Sequence, residues 1–157
     1  MKSLFKFNLL VAFSSLVMLG SCSDEDKDPN QTDAEIIGSG IPWKLSMATS
    51  NGVSVISFID ACLQDNLVTF NYETSISTGV VDSGATKCDN SEPQTVDFTW
   101  NYNESTKVLT VDTDIIEVPG TEGNLIVESI TSSQLVLSQN VVLPGFGTQK
   151  VLVTFVH

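Results

Sequence analysis

An antiparallel, all-β, up-and-down β-barrel of about eight strands with one short helix is the fold this sequence predicts. Three observations predict it. The stretch "TVDFTWNY" alternates Val96, Phe98, Trp100 and Tyr102 with Thr95, Asp97, Thr99 and Asn101, a period of two that only a half-buried strand satisfies. Similar apolar runs recur down the chain, separated by short polar or glycine-rich connections. No long 3.6-residue pattern interrupts them, so sequential strands close into a barrel, or into a sandwich if closure fails.

The strands follow in order. "PWKLSMA" and "LVTFNYE" are the first two. Between them, "VSVISFIDACLQ" fits helical spacing through Val55, Ile59, Cys62 and Leu63 about as well as it fits a strand, and a short helix near Ser57 to Gln64 is expected. "TGVV" to "ATK" is a weaker strand candidate, split by the turn "DSG". Thr95 to Asp112 reads as a hairpin broken by "NEST". "NLIVESI" and "QLVLSQNVV" flank "TSS", and "QKVLVTFV" follows the Gly/Pro turn "LPGFG".

Ahead of these strands the chain has a different character. Lys2 and Lys6 precede "LLVAFSSLVMLG". This run is too short for a bilayer core of about 30 Å, which takes about 20 residues, but it suits the apolar region of a secretory signal. The "LGSC" that ends it resembles the lipobox of bacterial lipoproteins, in which the cysteine is diacylated and becomes the mature N-terminus. Residues 1–21 are then a cleaved signal, and Cys22 carries a diacylglycerol and acyl (palmitate-type) modification. Two or three acyl chains make a stable membrane anchor where one does not.

Residues 22–40 continue after Cys22 with "SDEDKDPNQTDAE", which is polar and lacks aromatics, and are expected to form a flexible tether. An acidic run directly after a lipidated cysteine also resembles the export signal of Gram-negative lipoproteins displayed on the outer face of the outer membrane. A periplasm-facing tether that is merely solvated is the alternative. Residues 41–157 form one domain, long enough to bury a core.

Charge narrows the partners. Removing Lys2 and Lys6 with the signal leaves five lysines against nineteen acids, so the net charge goes from −12 to −14, and there is no arginine. Nucleic acid and anionic lipid headgroups are disfavoured, and the bidentate grip on phosphate is missing. A neutral or cationic ligand is easier to hold.

Cys62 and Cys88 form an even pair in an oxidising compartment and are read as a disulfide. A metal site would want more His or Cys partners, and a redox pair would normally be Cys-x-x-Cys. The bridge is expected to act as a staple that takes no part in ligand uptake.

The order "PWKLSMATSNG", "CLQDNLVTFNYE", a second cysteine, "VDFTWNY", "LVL" and "VTF" resembles the lipocalin-like domains of bacterial outer-membrane lipoproteins. The resemblance spans about Ile41 to His157 and implies a barrel with a lumen, without implying a particular ligand. "SISTGVVDSGATK" departs from it, because the family often has a single aspartate-glycine turn there.

An enzyme is not expected. The one histidine, His157, ends the chain, where fraying would leave a general base unplaced. No nucleophile elbow or zinc spacing is present. Asp112, Asp114 and Glu117 in "VDTDIIE" could serve a glycosidase or calcium, but acids are dense throughout and solvated positions explain them. The sequon at Asn103 has no force in an anchored bacterial protein. No cofactor or metal is expected beyond the lipid on Cys22.

Two classes of function remain. In one, Val96, Phe98, Trp100 and Tyr102 line a lumen that binds a small apolar or neutral ligand. In the other, the barrel is filled by its own side chains and the protein is a structural or interaction module.

Overall fold

The computed structural model describes residues 30–113, 123–143 and 145–157. Among the described residues nine strands carry the fold: β1 (Trp43–Ser50), β2 (Val53–Ser54), β3 (Leu67–Asn71), β4 (Ser77–Asp82), β5 (Thr95–Asn103), β6 (Val108–Val111), β7 (Asn124–Ile130), β8 (Gln134–Leu143) and β9 (Gly147–Val156). All pairings are antiparallel and, except for the two-residue β2 attached to β1, each strand neighbours the next in sequence. The sheet closes because β1 also pairs with β9, from Lys44↔Val156 to Ser50↔Val151. Closure leaves eight strands in the barrel and settles the choice against a sandwich.

Bulges on β1 between Leu45 and Met47, and on β7 between Val127 and Ser129, bend the strands as a closed sheet requires. The inward face of the barrel is apolar and tightly filled. Trp43, Phe70, Leu109 and Leu135 are wholly or almost wholly buried, with Phe98, Leu137 and Phe155 beside them. The outward residues of β5, Thr95, Asp97, Thr99 and Asn101, are exposed and polar, so this wall faces water.

The strand ends define a base and a mouth. At the base lie the β3–β4 connection, the turn Thr131–Ser133 and His157. At the mouth lie the turn Asn51–Gly52, the β4–β5 connection and the β8–β9 turn. A helix, α1 (Asp33–Ile37), closes the base. Its N-cap Thr32 accepts from Glu35 N while Glu35 accepts from Thr32 N, a reciprocal capping box. Ile36 and Ile37 are buried against the barrel, and the carbonyl of Ile37 accepts from Trp43 Nε1 at 3.1 Å. Helices this short are unstable alone, so this docking holds α1 in place.

Two expectations are therefore corrected. The tether does not run to Gly40, because Thr32 caps a helix, Asp33–Ile37, whose Ala34, Ile36 and Ile37 are buried. The acids of "TDAE" are a capping signal ahead of two buried isoleucines, which an average over composition hides. The helix expected at Ser57 to Gln64 is instead two 3₁₀ turns, Ile56–Phe58 and Ala61–Leu63. Ile59 between them is extended (φ −96°, ψ 125°), which interrupts the helix, and its side chain is buried in the core. The Gln64 side chain donates to the carbonyl of Ile59 at 2.9 Å and secures the break. The weak candidate around "TGVV" is β4, and it ends at the "DSG" turn.

Candidate functional site

Strand β5 runs from mouth to base, and the four residues of its inward stripe meet different surroundings along it. Phe98 and Trp100 are core. Phe98 packs edge-on to Phe70 at 5.3 Å between ring centroids, and Trp100 does the same at 5.4 Å. The Trp100 Nε1 donates to the carbonyl of Thr78 at 2.8 Å, so its one polar atom is satisfied. Gly79 lies directly across from Phe98, and the ring occupies the volume where a Cβ at Gly79 would sit. The middle of the barrel is thus filled by its own aromatics.

At the base, Tyr102 is half-buried and its hydroxyl donates to Asp33 Oδ2 at 3.1 Å. The Lys107 Nζ donates to the same oxygen at 2.7 Å, and Glu104 accepts from Ala34 N at 3.2 Å. These contacts fasten α1 to the β5–β6 turn, which makes Tyr102 a docking residue. Burial, then the bond to Asp33, pushes the Tyr102 phenol up to about 12, and the bond to Asp33 raises Lys107 above its ordinary value.

Both groups hold their protons more tightly in the fold, so their contribution is whole below about pH 10, where the unfolded phenol is still protonated. It is lost as pH rises through 12. Melting temperatures measured between pH 8 and 12 should fall over that window, and Tyr102→Phe with Lys107→Met should flatten the fall. An equally steep decline in the double variant would remove the network as its cause.

At the mouth, Val96 is 40% exposed and pairs with Val81. The two form one wall of a cavity of about 210 Å³, together with Leu63, Pro93 and the Cys62–Cys88 disulfide. Asn66, Ser83, Thr86, Glu92 and Thr113 supply its polar lining. The bridge has a Cα–Cα distance of 5.2 Å and joins the second 3₁₀ turn to the β4–β5 connection. Asp65 and Asp82 hold that connection in shape. Asp65 accepts from Ala85 N and Thr86 N, and Asp82 accepts from Gly84 N and from the Gln94 side chain. The cysteine pairing expected from the sequence is present. Its place in the cavity wall is the part that the staple reading missed, and the signal available was that a bridge brings residues 56–66 and 83–94 to one end of the barrel.

The remaining candidates fall elsewhere. Asp112 accepts from Thr99 N at 2.7 Å and Thr99 Oγ1 at 2.8 Å, which holds its carboxyl below the usual range and ties it to β5. Asp114 and Glu117 lie outside the described residues, as does Cys22. His157 is not frayed: its ring stacks on Trp43 with centroids 3.6 Å apart, and Nδ1 lies 3.1 Å from the carbonyl of Pro42. Stacking gives the terminal strand a fixed end.

Comparison with protein-family models, with curated proteins and with solved structures finds no match to this chain. Among the described residues, no group of three or more His, Cys, Asp or Glu is placed to hold a metal ion, and no helix is long and apolar enough to cross a membrane.

Proposed function

We propose that this chain is an outer-membrane lipoprotein, anchored by acylated Cys22 and displayed on the cell exterior, whose lipocalin-like barrel holds a small neutral ligand at its mouth. The observation that carries the binding reading is the cavity beside Val96 and the disulfide, which mixes apolar and polar lining in one concave site. At about 210 Å³ it is smaller than the roughly 300–1,000 Å³ of drug-sized sites, so its ligand has on the order of ten heavy atoms. Glu92 lines the cavity and the Lys87 Nζ donates to the Glu92 carbonyl at 2.9 Å, so charges of both signs stand beside it and a neutral ligand suits it. The anchor rests on "LGSC", and surface display on the acids that follow it.

A second reading, a structural or interaction lipoprotein with a filled barrel, is favoured by the packing of Phe70, Phe98 and Trp100. Thermal-shift screening of small neutral compounds against the soluble Cys22→Ala chain separates the two. Compounds that raise the melting temperature of that chain should fail to do so when Val96→Trp fills the cavity. Equal shifts in both proteins would move binding away from the mouth, and the absence of any shift would leave the second reading.

The anchor is tested by fractionation. Cys22→Ala should move the protein out of the membrane fraction, and an unchanged distribution would sink the anchor. Replacing Asp24, Glu25 and Asp26 with alanine should keep the protein in the outer membrane but shield it from added protease. Continued cleavage would reduce the acids to a spacer.

A further inference from the structure

We propose that the base of the barrel carries a second ligand site, a groove beside the β3–β4 connection that takes an organic cation, an amine joined to an apolar body. The groove lies at the opposite end of the barrel from the cavity beside Cys62–Cys88 and stands whether or not that cavity is filled.

The register of the sheet creates it. β4 pairs with β5 only from Asp82↔Thr95 to Ser77↔Trp100, whereas β5 runs on to Asn103 with its ladder to β6 alone. The connection Tyr72–Ile76 therefore leaves the wall instead of covering the end of β5, and a concave space of about 520 Å³ opens there. This volume falls within the roughly 300–1,000 Å³ of small-molecule sites, where the 210 Å³ of the mouth cavity does not. The sides of the groove are fixed by the fold. Tyr72 N donates to the carbonyl of Gly38 at 3.0 Å, while Ser77 Oγ accepts from Glu73 N at 3.1 Å and donates to the Glu73 carbonyl at 3.2 Å. A Cβ on Gly38 would collide with Tyr72 and Trp100, so α1 and the connection meet with no room to spare. A ligand then has little of the site left to order on binding.

The lining selects the chemical class. Tyr72 and Ile76 are 41% and 64% exposed, an apolar surface that the core leaves unused, and the Tyr72 ring stands 6.4 Å from that of Trp100. Aromatic walls of this kind attract ammonium groups. Glu73, Glu104 and Asp112 line the same groove. Glu104 is placed by Ala34 N and Asp112 by Thr99, while the Glu73 carboxylate has no hydrogen-bond or ion-pair partner among the described residues. Lys107, the nearby cation, is held by Asp33 at 2.7 Å and Glu104 at 3.6 Å, and no lysine is among the described residues that line the groove. Acids are dense on this chain, and the concave apolar surface that these three border sets them apart. An anion is repelled there, and a neutral body covers the apolar pair without answering the charge. An amine with an apolar body satisfies both.

Amide NMR of the mature chain, made soluble by Cys22→Ala and titrated at neutral pH with phenethylamine, phenylethyl alcohol and phenylpropionate, tests the site. The three probes share an apolar body and differ in charge. Phenethylamine should bind most tightly and phenylpropionate least, with the shifted amides clustered at Tyr72–Ile76 and along the end of β5. Glu73→Gln should weaken the amine several-fold and leave the alcohol unchanged, whereas Ile76→Ser should weaken both. Both positions are exposed, so melting temperatures equal to the parent's will show that the variants fold. No preference for the amine, no binding of any probe at millimolar concentration, or shifts centred on Val81 and Val96 at the mouth would overturn the proposal. Equal losses for amine and alcohol in Glu73→Gln would overturn charge as the basis of selection.

Discussion

Cys62→Ala is expected to lower the stability of the barrel by about 3–4 kcal/mol, with Cys88→Ala costing the same, because each removes one bond that closes a 26-residue separation. The double variant should cost little more than either single one, since partners in one bond are not additive. The structure adds a second readout. The bridge ties the turn Ala61–Leu63 to the β4–β5 connection, and both line the mouth cavity. Compounds that stabilise the bridged chain should therefore lose affinity when it is reduced, at a temperature where the barrel remains folded. Thermal melts with a free-thiol count check the first part. Two reactive thiols in the unreduced parent would refute the pairing, and undiminished ligand shifts after reduction would return the bridge to a plain staple.

The other large effect is expected in the middle of the barrel. Phe98→Ala removes a ring that packs on Phe70 and covers Gly79, and it should destabilise by about 3–5 kcal/mol, the range for emptying an aromatic site in a core. Gly79→Ala should be harmful for the opposite reason. Its new Cβ enters the volume of the Phe98 ring, and overpacking of this kind costs about 1–3 kcal/mol. Because both act through the same volume, the double variant should be less destabilised than the two singles added together. Denaturant unfolding of the three proteins measures this. Strict additivity would show that the ring is not what keeps position 79 free of a side chain.

The strand pattern was legible because a period of two has one physical cause, a sheet with one wet and one dry face. β5 shows how far that carries. Alternation identifies Val96, Phe98, Trp100 and Tyr102 as one inward stripe, but it does not say what each meets, since depth along the barrel is set by strand stagger and by what closes each end. The result is a cavity wall, two core rings and a docking hydroxyl on a single strand. The segment Ser57 to Gln64 was misread for a related reason. Its apolar spacing suits a helix, while the extended break at Ile59, capped by the Gln64 side chain on the carbonyls of Ile56 and Ile59, leaves no mark in that spacing.

The sequence by itself determined the all-β meander, the turns, the pairing of the two downstream cysteines and the acidic, arginine-free surface. These follow from local periodicity, turn chemistry and counting. Only the tertiary structure decided that β1 meets β9 to close the barrel, that "TDAE" belongs to a plug on its base, and that the disulfide stands in the wall of a cavity at its mouth. Each of these brings together residues far apart in the chain, and such contacts depend on the packing of the whole barrel, which no local window contains.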